Sequence, residues 1–169
     1  MTFGMSIHAF TATHVLISFI GILTGTYVVV GGLMRGRLFR SWTYVFLGTT
    51  FLTSVTGFLF PITGFTPALG VGVVSLAVLA LASFEFTRNN WAGPGRWIYA
   101  ASATVALYLN VFVLVAQAFQ KVPLLHALAP TGTEPAFVMA QCLLLGIFVF
   151  VGIRAGKHFH PPAETQAAA

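Results

Sequence analysis

His14, Asn110, Gln117 and Gln141 are an imidazole and three amides set inside long apolar runs of the sequence. Polar groups in hydrocarbon are costly unless hydrogen-bonded or used, so any chemistry within a bilayer falls to such residues. An imidazole can donate, accept or ligate, and an amide both donates and accepts. This set suits a quinone, which needs a His or amide donor beside an apolar slot. A b-type haem needs axial ligands, and two His on facing helices would supply them. His126 provides the second only if its loop folds inward. His8 is six residues from His14, so the two face different sides of a straight helix and cannot clamp one metal. The plain alternative is that His14 is a hydrogen-bonded packing residue. The candidate binding set is therefore His14, Asn110, Gln117 and Gln141, with His126 as an outlier. No bound cofactor, a quinone and haem b all stay open.

The elements that must position these residues are five apolar spans, at about 9–34, 42–60, 68–86, 97–119 and 135–153. Each approaches or exceeds the ~20 residues that cross a bilayer core as a helix. At ~1.5 Å of rise per residue, His14 lies roughly 8 Å from the start of span one, Gln141 roughly 9 Å from the start of span five, and Asn110 roughly 13 Å from the end of span four. Gln117 lies near that end. Asn110 and Gln117 are seven apart and share a face. All four are expected to meet in one third of the membrane, with Thr53 and Thr56 at similar depth.

The side on which they meet follows from charge. Seven of the eight Lys and Arg residues (Arg35, Arg37, Arg40, Arg88, Arg96, Arg154 and Lys157) flank one side of the spans, and Lys121 alone flanks the other. The positive-inside rule makes the basic side cytoplasmic, the N-terminus external and the C-terminus internal. The candidate site then falls in the outer third. An odd number of spans agrees with this split, whereas four spans would put basic segments on both sides.

Composition excludes other classes. The chain has 57% hydrophobic and 7% charged residues, against about 25% charged in a soluble domain, which is too few to wet a soluble surface. The net charge of +5 is scattered through short loops and forms no basic face with interleaved aromatics, so no nucleic-acid partner is expected. The lone Cys142 permits neither an internal disulfide nor a CxxC motif, and is expected to be a buried packing residue. Residues 1–10 lack the basic region of a cleavable signal peptide. No nucleotide, zinc-hydrolase or covalent-haem motif appears, and no metal or catalytic residue is assigned.

In lipid, helices are held by close backbone approach and polar cross-links. Ser18, Gly21 and Gly25 lie with His14 on one stripe of span one, and Gly152 with Gly156 marks the end of span five. These are the expected packing residues. Span two carries Thr43, Thr49, Thr50, Thr53, Ser54 and Thr56, hydroxyls that can bond back to their own helix. Glu85 and Arg88 are expected as a solvated interfacial ion pair. The near absence of carboxylates in the spans argues against ion-coupled transport. The 122–134 loop is expected to lay Leu124, Leu125 and Leu128 on the membrane surface.

Three stretches, Thr53-Ser54-Val55-Thr56-Gly57-Phe58-Leu59-Phe60-Pro61, residues 108–123 and residues 128–137, together resemble small bacterial multi-span integral membrane proteins that carry no assigned activity. The resemblance implies a bacterial inner membrane and brings no functional residues with it.

The sequence thus reads as an all-α, five-span inner-membrane bundle over 1–159 with a disordered cytoplasmic tail over 160–169. The leading expectation is a non-enzymatic accessory subunit that contacts the lipid bilayer and another membrane protein or itself. The first rival is a redox or small-ligand-binding protein, and the second a facilitator for a small uncharged solute.

Overall fold

The computed structural model describes residues 6–60, 67–88, 91 and 93–160. The turn expected at 61–66, most of the tail and residues 1–5 lie outside these. The described elements are all helical: α1 (Ile7–Thr26), α2 (Arg40–Gly57), α3 (Pro67–Arg88), α4 (Gly95–Lys121), α5 (Pro123–Leu128) and α6 (Pro135–His158). Helix α1 continues through a π-helical turn (Tyr27–Gly32) and a 3-10 turn (Leu33–Arg35).

Among the described residues, four segments are long and apolar enough to cross a membrane: Ile7–Arg35, Ala68–Arg88, Gly95–Lys121 and Pro135–His158. Helix α2 is not among them, because its hydroxyl residues and Arg40 dilute its apolar content. Three of those hydroxyls nevertheless bond back to their own helix. Thr49 donates to the Val45 carbonyl at 2.7 Å, Ser54 to that of Thr50 at 3.0 Å and Thr56 to that of Leu52 at 2.7 Å.

The helix ends follow local chemistry. The Ser6 hydroxyl accepts the Ala9 N–H at 3.2 Å and caps α1. The extended Val122 precedes Pro123, which stops α4 and opens α5. Gly36 ends the α1 extension at φ 71, and a Cβ there would lie 2.9 Å from the His158 carbonyl oxygen. A side chain would meet both strain and collision at that point.

Helix α4 is central, packing against α1, α3 and α6, while α2 lies between α1 and α3. Ala100, Ala103 and Ala106 on the buried face of α4 let neighbouring helices approach closely. At the end of the bundle that gathers the Arg residues, Tyr99 is fully buried among Phe86, Trp91 and Phe159, with ring centroids 5.8, 5.3 and 5.6 Å away. There the Arg40 guanidinium lies over the Phe86 ring at 5.5 Å, and Arg96 donates to the Phe159 carbonyl at 3.3 Å.

Two expectations are corrected. Glu85 is only 5% exposed, because it borders the buried stripe of Leu79, Ala82 and Phe86; Arg88 approaches it at 3.8 Å from the surface. Cys142 faces outward rather than into the protein, as an apolar side chain can on a helix that meets lipid.

Candidate functional site

Helices α1 and α4 touch where Gly25 meets Leu107 and where Gly21 meets Asn110. Toward the Lys121 end they part, and α2 and α3 back the gap. The result is a cavity of about 650 Å³. Helix α1 contributes Thr11, His14 and Ser18; α2 contributes Thr53 and Ser54, and its C-cap Phe58; α3 contributes Leu69 and Ser75; α4 contributes Asn110, Gln117 and Lys121. The remaining lining is mostly aliphatic, in the manner of small-molecule sites that combine an apolar wall with a few polar groups.

Asn110, Gln117 and Lys121 lie on one face of α4 at helical spacing, opposite His14 and Thr11 on the antiparallel α1. Deep in the cavity Asn110 donates one N–H to Thr50 at 3.1 Å, so its second N–H and its carbonyl oxygen are uncommitted among the described residues. Ser54 gives its one hydrogen to the Thr50 carbonyl, so the 3.1 Å bond across α2 and α3 runs from the Ser75 hydroxyl to Ser54. Thr53 Oγ1 is buried with no partner among the described residues.

His14 Nδ1 lies 2.7 Å from Thr56 Oγ1, and the imidazole and the Phe60 ring stand perpendicular with centroids 5.2 Å apart. Gly57 passes beside the ring, where a Cβ would lie 3.9 Å from Cε1. The ring is thus clamped in orientation by α2 while it lines the cavity.

Three of the four residues expected to converge, His14, Asn110 and Gln117, line this one space. Gln141 does not. It sits on α6, which covers a different side of α4, and donates to the Phe112 carbonyl at 3.2 Å while its own Oε1 has no described partner. His126 lies exposed on α5, away from the cavity lining, and His8 is exposed on α1. No group of three His, Cys, Asp or Glu among the described residues is arranged to hold a metal. With His14 as the one imidazole in the lining, the donor set does not fit a bis-His haem.

Sequence reasoning missed Lys121 and Ser75. Lys121 was legible as the next polar residue on the Asn110–Gln117 face. Ser75 carried no signal, since a lone Ser in an apolar span ordinarily bonds to its own helix.

Of the expected packing residues on α1, Gly25 makes the tightest approach, with a Cβ position 2.6 Å from the Phe46 ring. At Gly21 a Cβ would lie 3.2 Å from Thr50 Oγ1, and at Gly152 it would meet Thr104 at an ordinary 3.5 Å. Gly156, inside α6, sits directly against the Trp97 ring. Ser18 donates to the His14 carbonyl at 2.8 Å and lines the cavity.

The chain matches no protein-family model, no curated protein and no solved structure.

Proposed function

We propose that this is a five-span inner-membrane protein that binds a small amphipathic molecule of the quinone class in the α1–α4 cavity. The observation that carries the reading is the convergence of His14, Asn110 and Gln117 on one largely apolar space. A ring bearing two oxygens needs hydrogen-bonding partners at its head and apolar walls for its tail, and this lining offers both. The volume falls within the range of small-molecule sites, about 300–1,000 Å³. This reading takes precedence over a purely accessory role because helix cross-links alone account for the Asn110–Thr50 and His14–Thr56 bonds but not for the apolar space that they border.

In this reading α2 is the fifth span. Its back-bonded hydroxyls make it tolerable in lipid, and Tyr44 and Trp42 near the Arg-bearing end suit an interfacial belt. The Arg-rich end is cytoplasmic, and the cavity lies toward the outer face. Cysteine tags placed at Ser6 and Thr131 in a Cys142→Ser background should react with an impermeant maleimide from outside, and a tag at Ala163 from inside. Labelling of Thr131 only from the cytoplasm would overturn this topology.

The ligand is tested by organic extraction and mass spectrometry of the detergent-purified chain. A near-stoichiometric quinone-class species, depleted in Asn110→Leu, supports the reading. A protein that carries none and binds no added short-chain benzoquinone, but brings down a larger membrane complex, returns the assignment to an accessory subunit.

A further inference from the structure

We infer that the site distinguishes the redox states of its ligand, taking the reduced quinol in preference to the quinone, and that the His14–Thr56 pair is what makes the distinction. The inference rests on the quinone-class reading of the cavity, and it begins with one proton. The Thr56 hydroxyl has a single hydrogen. Its oxygen lies 2.7 Å from the Leu52 carbonyl oxygen, a distance at which two oxygens repel unless a proton lies between them. Thr56 therefore donates to Leu52. Its contact with His14 at 2.7 Å must then run the other way, with Nδ1–H donating to Oγ1.

A neutral imidazole that holds its proton on Nδ1 carries a lone pair on Nε2. Among the described residues nothing donates to Nε2, and it is not among the sealed, unpartnered atoms. The cavity-lining His14 thus offers its ligand an acceptor. A quinol hydroxyl can donate to that lone pair. A quinone carbonyl brings a second lone pair to the same place and forms no bond.

The other polar groups do not discriminate. Asn110 and Gln117 present both a donor and an acceptor, so they serve either redox state. Lys121 only donates, and a quinone carbonyl is the better acceptor, but its side chain is exposed and can stay hydrated whichever form binds. The lining hydroxyls of Thr11 and Ser18 also give away their one hydrogen, to the Ile7 and His14 carbonyls at 2.8 Å each, but a hydroxyl oxygen is a weaker acceptor than an imidazole nitrogen. Selectivity therefore falls chiefly to His14, and Thr56, outside the cavity lining, acts as a positioning residue through it.

Binding of a decyl-substituted benzoquinone and of its chemically reduced quinol to the full detergent-purified chain, measured anaerobically by calorimetry, tests the inference. One hydrogen bond of ordinary net worth corresponds to a preference for the quinol of about fivefold to tenfold. Thr56→Val removes the acceptor that fixes the proton on Nδ1, and should bring the two affinities to within about twofold while binding persists. Thr56→Ser retains the acceptor and should retain the preference. Nitrogen-15 NMR of the histidine ring in the unliganded wild type, which needs no variant, should report protonation at Nδ1. Equal affinities in the wild type, or a proton on Nε2, would overturn the selectivity and leave the quinone-class site standing. Failure of both forms to bind would overturn the two together.

Discussion

Gly25 on α1 faces Phe46 on α2 so closely that a Cβ would lie 2.6 Å from the ring and 2.9 Å from Leu107 on α4. Three helices meet on one missing methyl group, at the point from which α1 and α4 diverge to open the cavity. Phe46 and Leu107 are both fully packed, so neither can yield. Gly25→Ala should therefore destabilise the bundle by about 1–3 kcal/mol, the range for overpacking a well-filled core. Gly21→Ala, with its nearest neighbour at 3.2 Å, should cost less, and Gly152→Ala, at 3.5 Å, almost nothing. Thermal denaturation of the three variants in one detergent should rank them in that order. An equal effect at Gly152 would show that small residues matter along these helices for a reason other than close approach.

Glu134 makes a prediction about pH. Its carboxylate accepts the Thr131 N–H and hydroxyl, each at 2.9 Å, and the Thr133 N–H at 3.0 Å, folding the loop ahead of α6 around Gly132. These bonds, the Thr131 backbone donor foremost, bring its pKa from the ordinary 4.5 down to about 2. A depressed carboxylate contributes its stabilisation fully above the unfolded value and loses it as pH falls through the folded one. The loop should therefore be ordered at neutral pH and loosen between about pH 4.5 and 2. Protection of the Thr131 and Thr133 amides, taken relative to the intrinsic exchange rate at each pH, should be lost across that window, and Glu134→Gln should lack it already at pH 7. An exchange rate that does not respond to the variant would mean that Gly132 alone sets the turn.

Gln141 is half satisfied: its amide nitrogen reaches the Phe112 carbonyl, and its buried oxygen has no described partner. The bond is worth about 1 kcal/mol, whereas an orphaned buried acceptor costs about 1–3. Gln141→Leu should therefore leave stability unchanged or raise it by up to about 1 kcal/mol. Gln141→Glu should lower it, because a charge would take the place of a neutral orphan. A marked loss of stability in the Leu variant would indicate that the oxygen has a partner in the membrane.

These cases show what the sequence could convey. The apolar runs and the Arg distribution outline the helices, because hydrocarbon demands long uncharged segments and polar loops. The i, i+7 spacing of Asn110 and Gln117 places them on one face, because helical geometry leaves no choice. Gln141 could not be placed in the same way, since its depth is legible and the rotation of α6 about α4 is not. Burial was the least legible property. In lipid an apolar side chain need not turn inward, so Cys142 faces out. Glu85 is drawn in because the α3 stripe around it packs. The cavity itself arises from the splay of α1 against α4, and no periodicity encodes a splay. Phe159, expected near the end of the bundle, packs into the aromatic cluster around Tyr99, a contact between residues far apart in the sequence that has no local signature.

Asn110 and Thr50 join α4 to α2 through one hydrogen bond at 3.1 Å, at the floor of the cavity, and Thr50 is fully buried. Interhelical hydrogen bonds in lipid are modest, averaging about 0.6 kcal/mol and reaching about 1.7 in double-mutant cycles, because the unfolded state in a membrane also finds partners. This one should fall toward the upper end, since Gly21 packs against both groups and holds them apart from competing donors, with Cβ positions 3.2 and 3.6 Å from Thr50 Oγ1 and Asn110 Nδ2. A cycle of Thr50→Val, Asn110→Ala and the double variant, followed by unfolding in mixed micelles, should return a coupling of about 1–1.7 kcal/mol. The same variants separate structure from binding. Thr50→Val breaks the bond but leaves the Asn110 amide in the cavity, so ligand affinity should change little. Asn110→Ala removes both the bond and the amide and should weaken binding by about tenfold, the equivalent of 1.4 kcal/mol. If the two variants weaken binding equally, Asn110 serves to hold the helices in place and does not touch the ligand.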